Sequence, residues 1–139
     1  MGLVYAEIEI VRGADLVLVE EGIITPEKIR KMVVKAMVDS GAYMLALNEN
    51  IRLQLDLRKV GEQYAELADG SCVRLDIVGP VEVKFENRRA NVDAMVLPGN
   101  SEVLLGAIPM EDMDVLIDPL RQKLIVNPEN PYIVKKPLK

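Results

Sequence analysis

Apolar and polar residues alternate along much of this chain. Over residues 3–12, Val4, Ala6, Ile8 and Ile10 fall on one face and Glu7 and Glu9 on the other. A period of two predicts a half-buried strand. Residues 31–38 repeat the pattern, with Met32, Val34, Ala36 and Val38 opposite Lys31, Val33, Lys35 and Met37. Residues 62–68, 72–78, 81–85 and 90–97 predict a meander of about four strands. Asp69-Gly70 supplies its hairpin turn, and Gly79-Pro80 and Asn87-Arg88-Arg89 punctuate it. Shorter apolar runs at 16–19, 43–47, 103–105, 115–117 and 123–126 predict further short strands. Gly13-Ala14-Asp15 and Asp118-Pro119 fit turns.

Helical signals are few. Asn48 is suited to cap a short amphipathic helix that carries Ile51 and Leu55 and ends near Leu57. Pro109 suits the first position of another. Thr25-Pro26-Glu27 fits either one helical turn or a plain connection. From Asn127 onward three prolines predict an extended tail. The expected architecture is all-β: one domain over residues 1–139, with about nine or ten strands, about two short helices and a tail at 127–139.

Composition narrows the chemistry. Half of the 139 residues are hydrophobic, so the chain has the means to build a core. With four Tyr, one Phe and no Trp, that core has to come from Val, Ile, Leu and Met. A net charge of −5 argues against a nucleic-acid surface. No stretch is long enough to span a bilayer and no signal-peptide pattern opens the chain, so no membrane partner is expected and a cytoplasmic location is the default. The single cysteine, Cys72, excludes an internal disulfide. Without histidine, one chain cannot assemble the usual zinc site, a Ser-His-Asp triad or a Cys-His pair. No metal or cofactor is expected. Carboxylates, Lys and Tyr remain as acids and bases.

One carboxylate stands out. The strand at 31–38 runs directly into Asp39-Ser40-Gly41-Ala42. An acid at the end of a buried strand is costly unless it is paired or hydrogen-bonded. Gly41 permits a tight turn and a close neighbour, and Ser40 adds a hydroxyl. Taken alone, the tetrapeptide also fits a strand that simply ends in a turn.

Three features in order carry a resemblance. They are Asp39-Ser40-Gly41-Ala42, the hairpin tipped by Asp69-Gly70, and Val103-Leu104-Leu105-Gly106 followed by a short helix and a strand pair. Over residues 7–126 this order resembles the retropepsin-like (retroviral-type) aspartic proteases, and more closely their single-domain bacterial relatives. The resemblance implies a barrel with a flap hairpin. It implies that Asp39 is catalytic, with Ser40, Gly41 and Ala42 supporting the active-site loop. It also implies that Asp69 and Gly70 lie at the flap over substrate, and that Leu105 and Gly106 thread behind the loop. Since the chain has one Asp-Ser-Gly, it implies a homodimer whose two Asp39 side chains share one proton, acting on a peptide or protein substrate. The alternative is the same dimeric fold without catalysis, serving as a protein-binding or scaffolding module.

The chain departs from the viral pattern in several places. Viral members carry an acid two residues past the first Gly and an Arg after the second. Here those positions are Tyr43 and Ala107. Ser40 replaces the commoner Thr, and residues 23–30 look like an insertion. Blander expectations cover the rest. Cys72 reads as a small buried or half-buried side chain, Met110 and Met113 as core, and Glu111, Asp112 and Asp114 as a solvated helix face.

Overall fold

The computed structural model describes residues 2–138. Nine strands and three short α-helices follow one another: β1 (Val4–Arg12), α1 (Gly13–Glu20), β2 (Lys31–Val38), β3 (Leu45–Asn48), α2 (Glu49–Leu55), β4 (Lys59–Glu66), β5 (Cys72–Phe85), β6 (Arg88–Leu97), β7 (Val103–Leu105), α3 (Ala107–Met113), β8 (Val115–Asp118) and β9 (Lys123–Val126). A 3-10 turn at Pro26–Lys28 interrupts the connection between α1 and β2. The order of the main sheet is β1-β2-β7-β3-β6-β5-β4, and β1 also pairs with β5. That second pairing closes six strands into a barrel and leaves β4 outside it, on the free edge of β5. The fold is the expected all-β retropepsin-like barrel.

The alternating faces of β1 and β2 explain the closure. The two strands pair antiparallel from Val4↔Val38 to Val11↔Lys31. This register turns Ile8, Ile10 and Ala36 into the barrel, where each is essentially buried. Leu45, Leu47, Val78, Val81, Val83 and Leu105 join them, so the interior is aliphatic throughout. Each such side chain contributes roughly 1.5–3 kcal/mol relative to exposure. Met110 and Met113 are buried, as expected of core residues.

Several local readings need correction. Residues 13–20 form helix α1, not a turn followed by a strand. Their apolar residues show neither period, and the surroundings decide: one helical turn places Asp15 against Arg12, with Nη1 2.5 Å from Oδ1, both buried, and lets the Arg30 amide donate to Asp15 at 2.8 Å. Residues 72–85 form one strand, not two. Pro80, which has no N–H to offer a ladder, falls within the register shift between Val78 and Val81, and the strand continues past it. Helix α3 begins at Ala107, two residues before Pro109. Asp114 is not simply solvated. Asn127 and Asn130 donate side-chain bonds of 3.0 Å to it, and the amide of Lys135 donates one of 3.3 Å. These bonds, led by that of Asn127, hold its carboxyl below the usual range. The tail, expected to be extended from Asn127, instead opens with a turn in which the Asn130 amide donates to the Asn127 carbonyl at 3.0 Å, and the Asp114 bonds hold it there.

Other local expectations hold. Asn48 caps α2 by accepting from the amide of Ile51 at 3.0 Å. Asp56 then ends the helix in the left-handed conformation. No helix among the described residues is long and apolar enough to cross a membrane.

Candidate active site

Asp39 follows directly on the last residue of β2. Its amide continues the sheet by donating to the carbonyl of Leu105 at 3.0 Å. Its own carbonyl accepts from the amide of Ala42 at 3.0 Å, which closes the loop into a turn. The amide of Gly41 donates to Oδ1 at 2.9 Å and fixes the carboxylate's orientation. Asp39 is half-buried, Ser40 and Gly41 are exposed, and among the described residues no cation lies within ion-pair distance of Asp39. A cleft of about 240 Å³ opens over it, lined in part by Leu3, Met37 and Ile117.

The loop is held from behind by the segment after β7. Strand β7 lies between β2 and β3, parallel to β2 with Val38 opposite Leu105. The chain then turns at Gly106. Beyond it the amides of Ala107 and Ile108 donate to the carbonyls of Ala42 and Tyr43, both at 2.9 Å. A Cβ at Gly106 would stand 2.3 Å from the Met44 carbonyl oxygen and 2.9 Å from that of Ala42. Only glycine fits between these backbones. Leu105 and Gly106 therefore lie against the Asp39 loop. Sequence reasoning missed that the carbonyls of Ala42 and Tyr43 receive these bonds, since a backbone acceptor has no residue signature. Tyr43 and Ala107, the positions without the viral ion pair, are not bonded to each other; the Tyr43 carbonyl is taken by Ile108 and the Ala107 amide by Ala42.

Asp69 and Gly70 sit at the tip of the β4–β5 hairpin, whose register runs from Lys59↔Val78 to Glu66↔Cys72. The turn closes with the amide of Gly70 donating to Leu67 O at 2.9 Å and that of Leu67 to Ser71 O at 2.7 Å. Gly70 has φ +87, open to glycine and strained for other residues. Oδ1 of Asp69 accepts from the hydroxyl of Ser71 at 2.6 Å and from its amide at 2.9 Å. Those two bonds hold the carboxyl below its ordinary value. Asp69 is thus engaged in the turn itself. Cys72 is exposed, against expectation, because the outer half of the hairpin projects beyond the core.

Residues 26–111 match the family model described as gag-polyprotein putative aspartyl protease, well over half of the chain. The chain belongs to this retropepsin-like family. The matched span includes the Asp39 loop, the β4–β5 hairpin and the Leu105-Gly106 crossing, the three features on which the resemblance rested. The family is one of aspartic-protease-like hydrolases. No curated protein matches the chain.

Proposed function

We propose that the protein is an aspartic endopeptidase, active as a homodimer in which Asp39 of each copy supplies half of the catalytic pair. The observation that carries this reading is the setting of Asp39. Its carboxylate is oriented by the Gly41 amide, faces a cleft and has no neighbouring cation among the described residues to neutralise it. Such a group is free to meet a second carboxylate. Two like charges in close contact cannot both ionise easily, so the pair holds one proton and titrates as a unit. The ionised member takes a proton from water, and the neutral member donates its own to the carbonyl oxygen of the scissile bond.

One chain brings one such aspartate, so the second comes from a copy related by a two-fold axis. Exposed apolar side chains near the loop, Leu3 and Tyr43 among them, are surface that such a copy would cover. Ser40 supports the loop with its hydroxyl. The β4–β5 hairpin, tipped by Asp69 and Gly70, acts as the flap over the bound peptide and excludes water once it closes.

The test is digestion of a random peptide library by the wild type and by Asp39→Asn, across a concentration series followed by sedimentation. Cleavage by the dimer, absent from Asp39→Asn and falling as the dimer dissociates, is the expected result. A stable dimer that cleaves nothing would leave the scaffolding role instead. Undiminished activity in the monomer would remove the shared pair.

A further inference from the structure

A large cleft lies at the other end of the barrel from Asp39. It encloses about 810 Å³ between α1, the 3-10 turn, the segment after α2 and Pro80 of β5. The β1–β2 register places it there, since Arg12 and Arg30 on its wall flank the Val11↔Lys31 end while Asp39 follows the Val4↔Val38 end.

The burial of α1 is inverted. Its acid, Asp15, is 2 % exposed and its Val17 is 52 % exposed. Asp15 turns inward because Arg12 is buried there and needs it. Of the helix's aliphatic residues Val17 is left exposed, and Leu16, Leu18 and Val19 are only half-buried. Val17 and Leu18 form one wall of the cleft, and Ile24, Leu57, Val60 and Pro80 complete an apolar lining.

The rim is cationic in a chain of net charge −5. Four basic residues border the cleft: Lys28, Arg30, Arg58 and Lys59. Two of them are already paired. Lys59 contacts Glu62 at 2.6 Å and Asp76 at 3.3 Å, and Arg30 lies 3.6 Å from Asp56. Lys28 and Arg58 have no acidic partner among the described residues and are exposed. The acids of the cleft are engaged likewise, Asp15 by Arg12 and the Arg30 amide, and Asp56 by Arg30. What is unmatched is an apolar wall and two positive charges. A volume of this size with such a lining is typical of small-molecule sites.

We propose that this cleft binds an aliphatic carboxylate, its chain against Val17, Leu18, Ile24 and Val60 and its acid group between Lys28 and Arg58. The site is independent of Asp39 and of the peptidase reading. Octanoate, 1-octanol and octylammonium form a matched set of probes, with the peptide acetyl-Leu-Leu-Glu as a fourth. In isothermal titration calorimetry octanoate should bind saturably at one site per chain. It should bind at least about tenfold more tightly than octanol, since two exposed charge pairs contribute on that order. Octylammonium should not bind. Lys28→Glu combined with Arg58→Glu should weaken octanoate by about tenfold or more, and leave octanol unchanged. Val17→Asp should weaken both. All three positions are exposed, and circular dichroism checks that each variant is folded. Equal affinity for octanoate and octanol, non-saturable uptake, or indifference to both variants would overturn the proposal. Tighter binding of the peptide than of octanoate would overturn it in favour of a protein segment.

Discussion

Strand β2 has an aspartate beyond each end, and the two are treated in opposite ways. Near Lys31, Asp15 is buried and saturated: Arg12 donates to one oxygen, the Arg30 amide donates to the other at 2.8 Å, and the Arg30 guanidinium stands 3.9 Å away. Past Val38, Asp39 is half-buried and its carboxylate receives a single bond among the described residues, from the Gly41 amide of its own loop. The strand between them spans roughly 23 Å, at about 3.3 Å per residue. One carboxylate is committed to holding the fold. The other is oriented by its own loop and faces a cleft, the setting on which the proposed catalytic role rests.

This contrast breaks most sharply in a crossed pair of variants. Asp39→Asn keeps the shape and the Gly41 contact but removes the base and the shared proton. Peptide hydrolysis should fall by at least about a thousandfold, the scale of lost acid–base catalysis, with the melting temperature nearly unchanged. Asp15→Ala should do the reverse. It leaves the Arg12 charge buried without its partner and should cost about 3–5 kcal/mol in denaturant unfolding. Rates per folded molecule should stay close to wild type. If Asp15→Ala proved neutral in stability, or if Asp39→Asn unfolded the chain, the division of roles between the two aspartates would be wrong.

Gly106→Ala probes how the Asp39 end is built. The new methyl would meet carbonyl oxygens of the Asp39 loop at 2.3 and 2.9 Å, and backbone atoms cannot swing away as a side chain can. A loss of about 1–3 kcal/mol is expected, the usual range for overpacking. Activity should fall further than stability, because the displaced segment carries Ala42 and, through it, Asp39. Equal stability of variant and wild type by urea titration would show that the two loops are less tightly held than their hydrogen bonds indicate.

Much of the Asp39 end could be read from the chain, and little of the Asp15 end. Alternation marked β1 and β2, and the run into Asp39-Ser40-Gly41-Ala42 marked where β2 stops. Local signals also sufficed for the Asn48 cap and the Asp69-Gly70 turn, whose partners lie within three residues. The Asp15 network is different in kind. Residues 16–19 are a continuous apolar run, so no period separates helix from strand. The choice depends on Arg12, Arg30 and the Asp56 carbonyl, the last of which takes a bond from Arg12 Nε at 3.0 Å across 44 positions of sequence. The Asp114 hub was hidden for the same reason, since its donors come from the tail. Cys72 misled because alternation shows which face a residue shares and not whether anything covers that face.

A smaller effect is expected at the β4–β5 hairpin, which Gly70→Val tests. A branched residue at φ +87 should strain the tip by about 1–2 kcal/mol. The tip makes few contacts with the barrel, so much of that strain should be relieved by local rearrangement and global stability should change little. Turnover of a peptide should drop severalfold if the hairpin has to close over substrate. Loss of turnover that simply tracks loss of folded protein would remove the flap from the mechanism.

The mildest perturbation is a change of pH, and it separates the two aspartates without relying on a disruptive mutation. Burial opposes ionisation of Asp15, but the Arg30 amide and the Arg12 and Arg30 charges outweigh it and hold the folded pKa below the ordinary 3.8. A carboxyl lowered on folding stabilises the native state fully above its unfolded value. That contribution is lost as pH falls through the still lower folded value. Stability should therefore be flat from neutrality down to about pH 5 on account of this group and should decline only in stronger acid. Asp69, Asp114 and Asp118 are also held below the ordinary carboxylate value, so the comparison needs Asp15→Asn, which keeps the acceptor for the Arg30 amide but carries no charge. In that variant the acid limb of the stability curve should flatten. The activity profile answers to Asp39 instead. A pair sharing one proton loses function when it gains a second and when it loses the first, so the rate should be bell-shaped, with an optimum on the acid side of neutrality. Asp15→Asn should leave that bell where it is. If the acid limb of activity moved together with the acid limb of stability, the limb would report unfolding, and the two ends of β2 would not be independent.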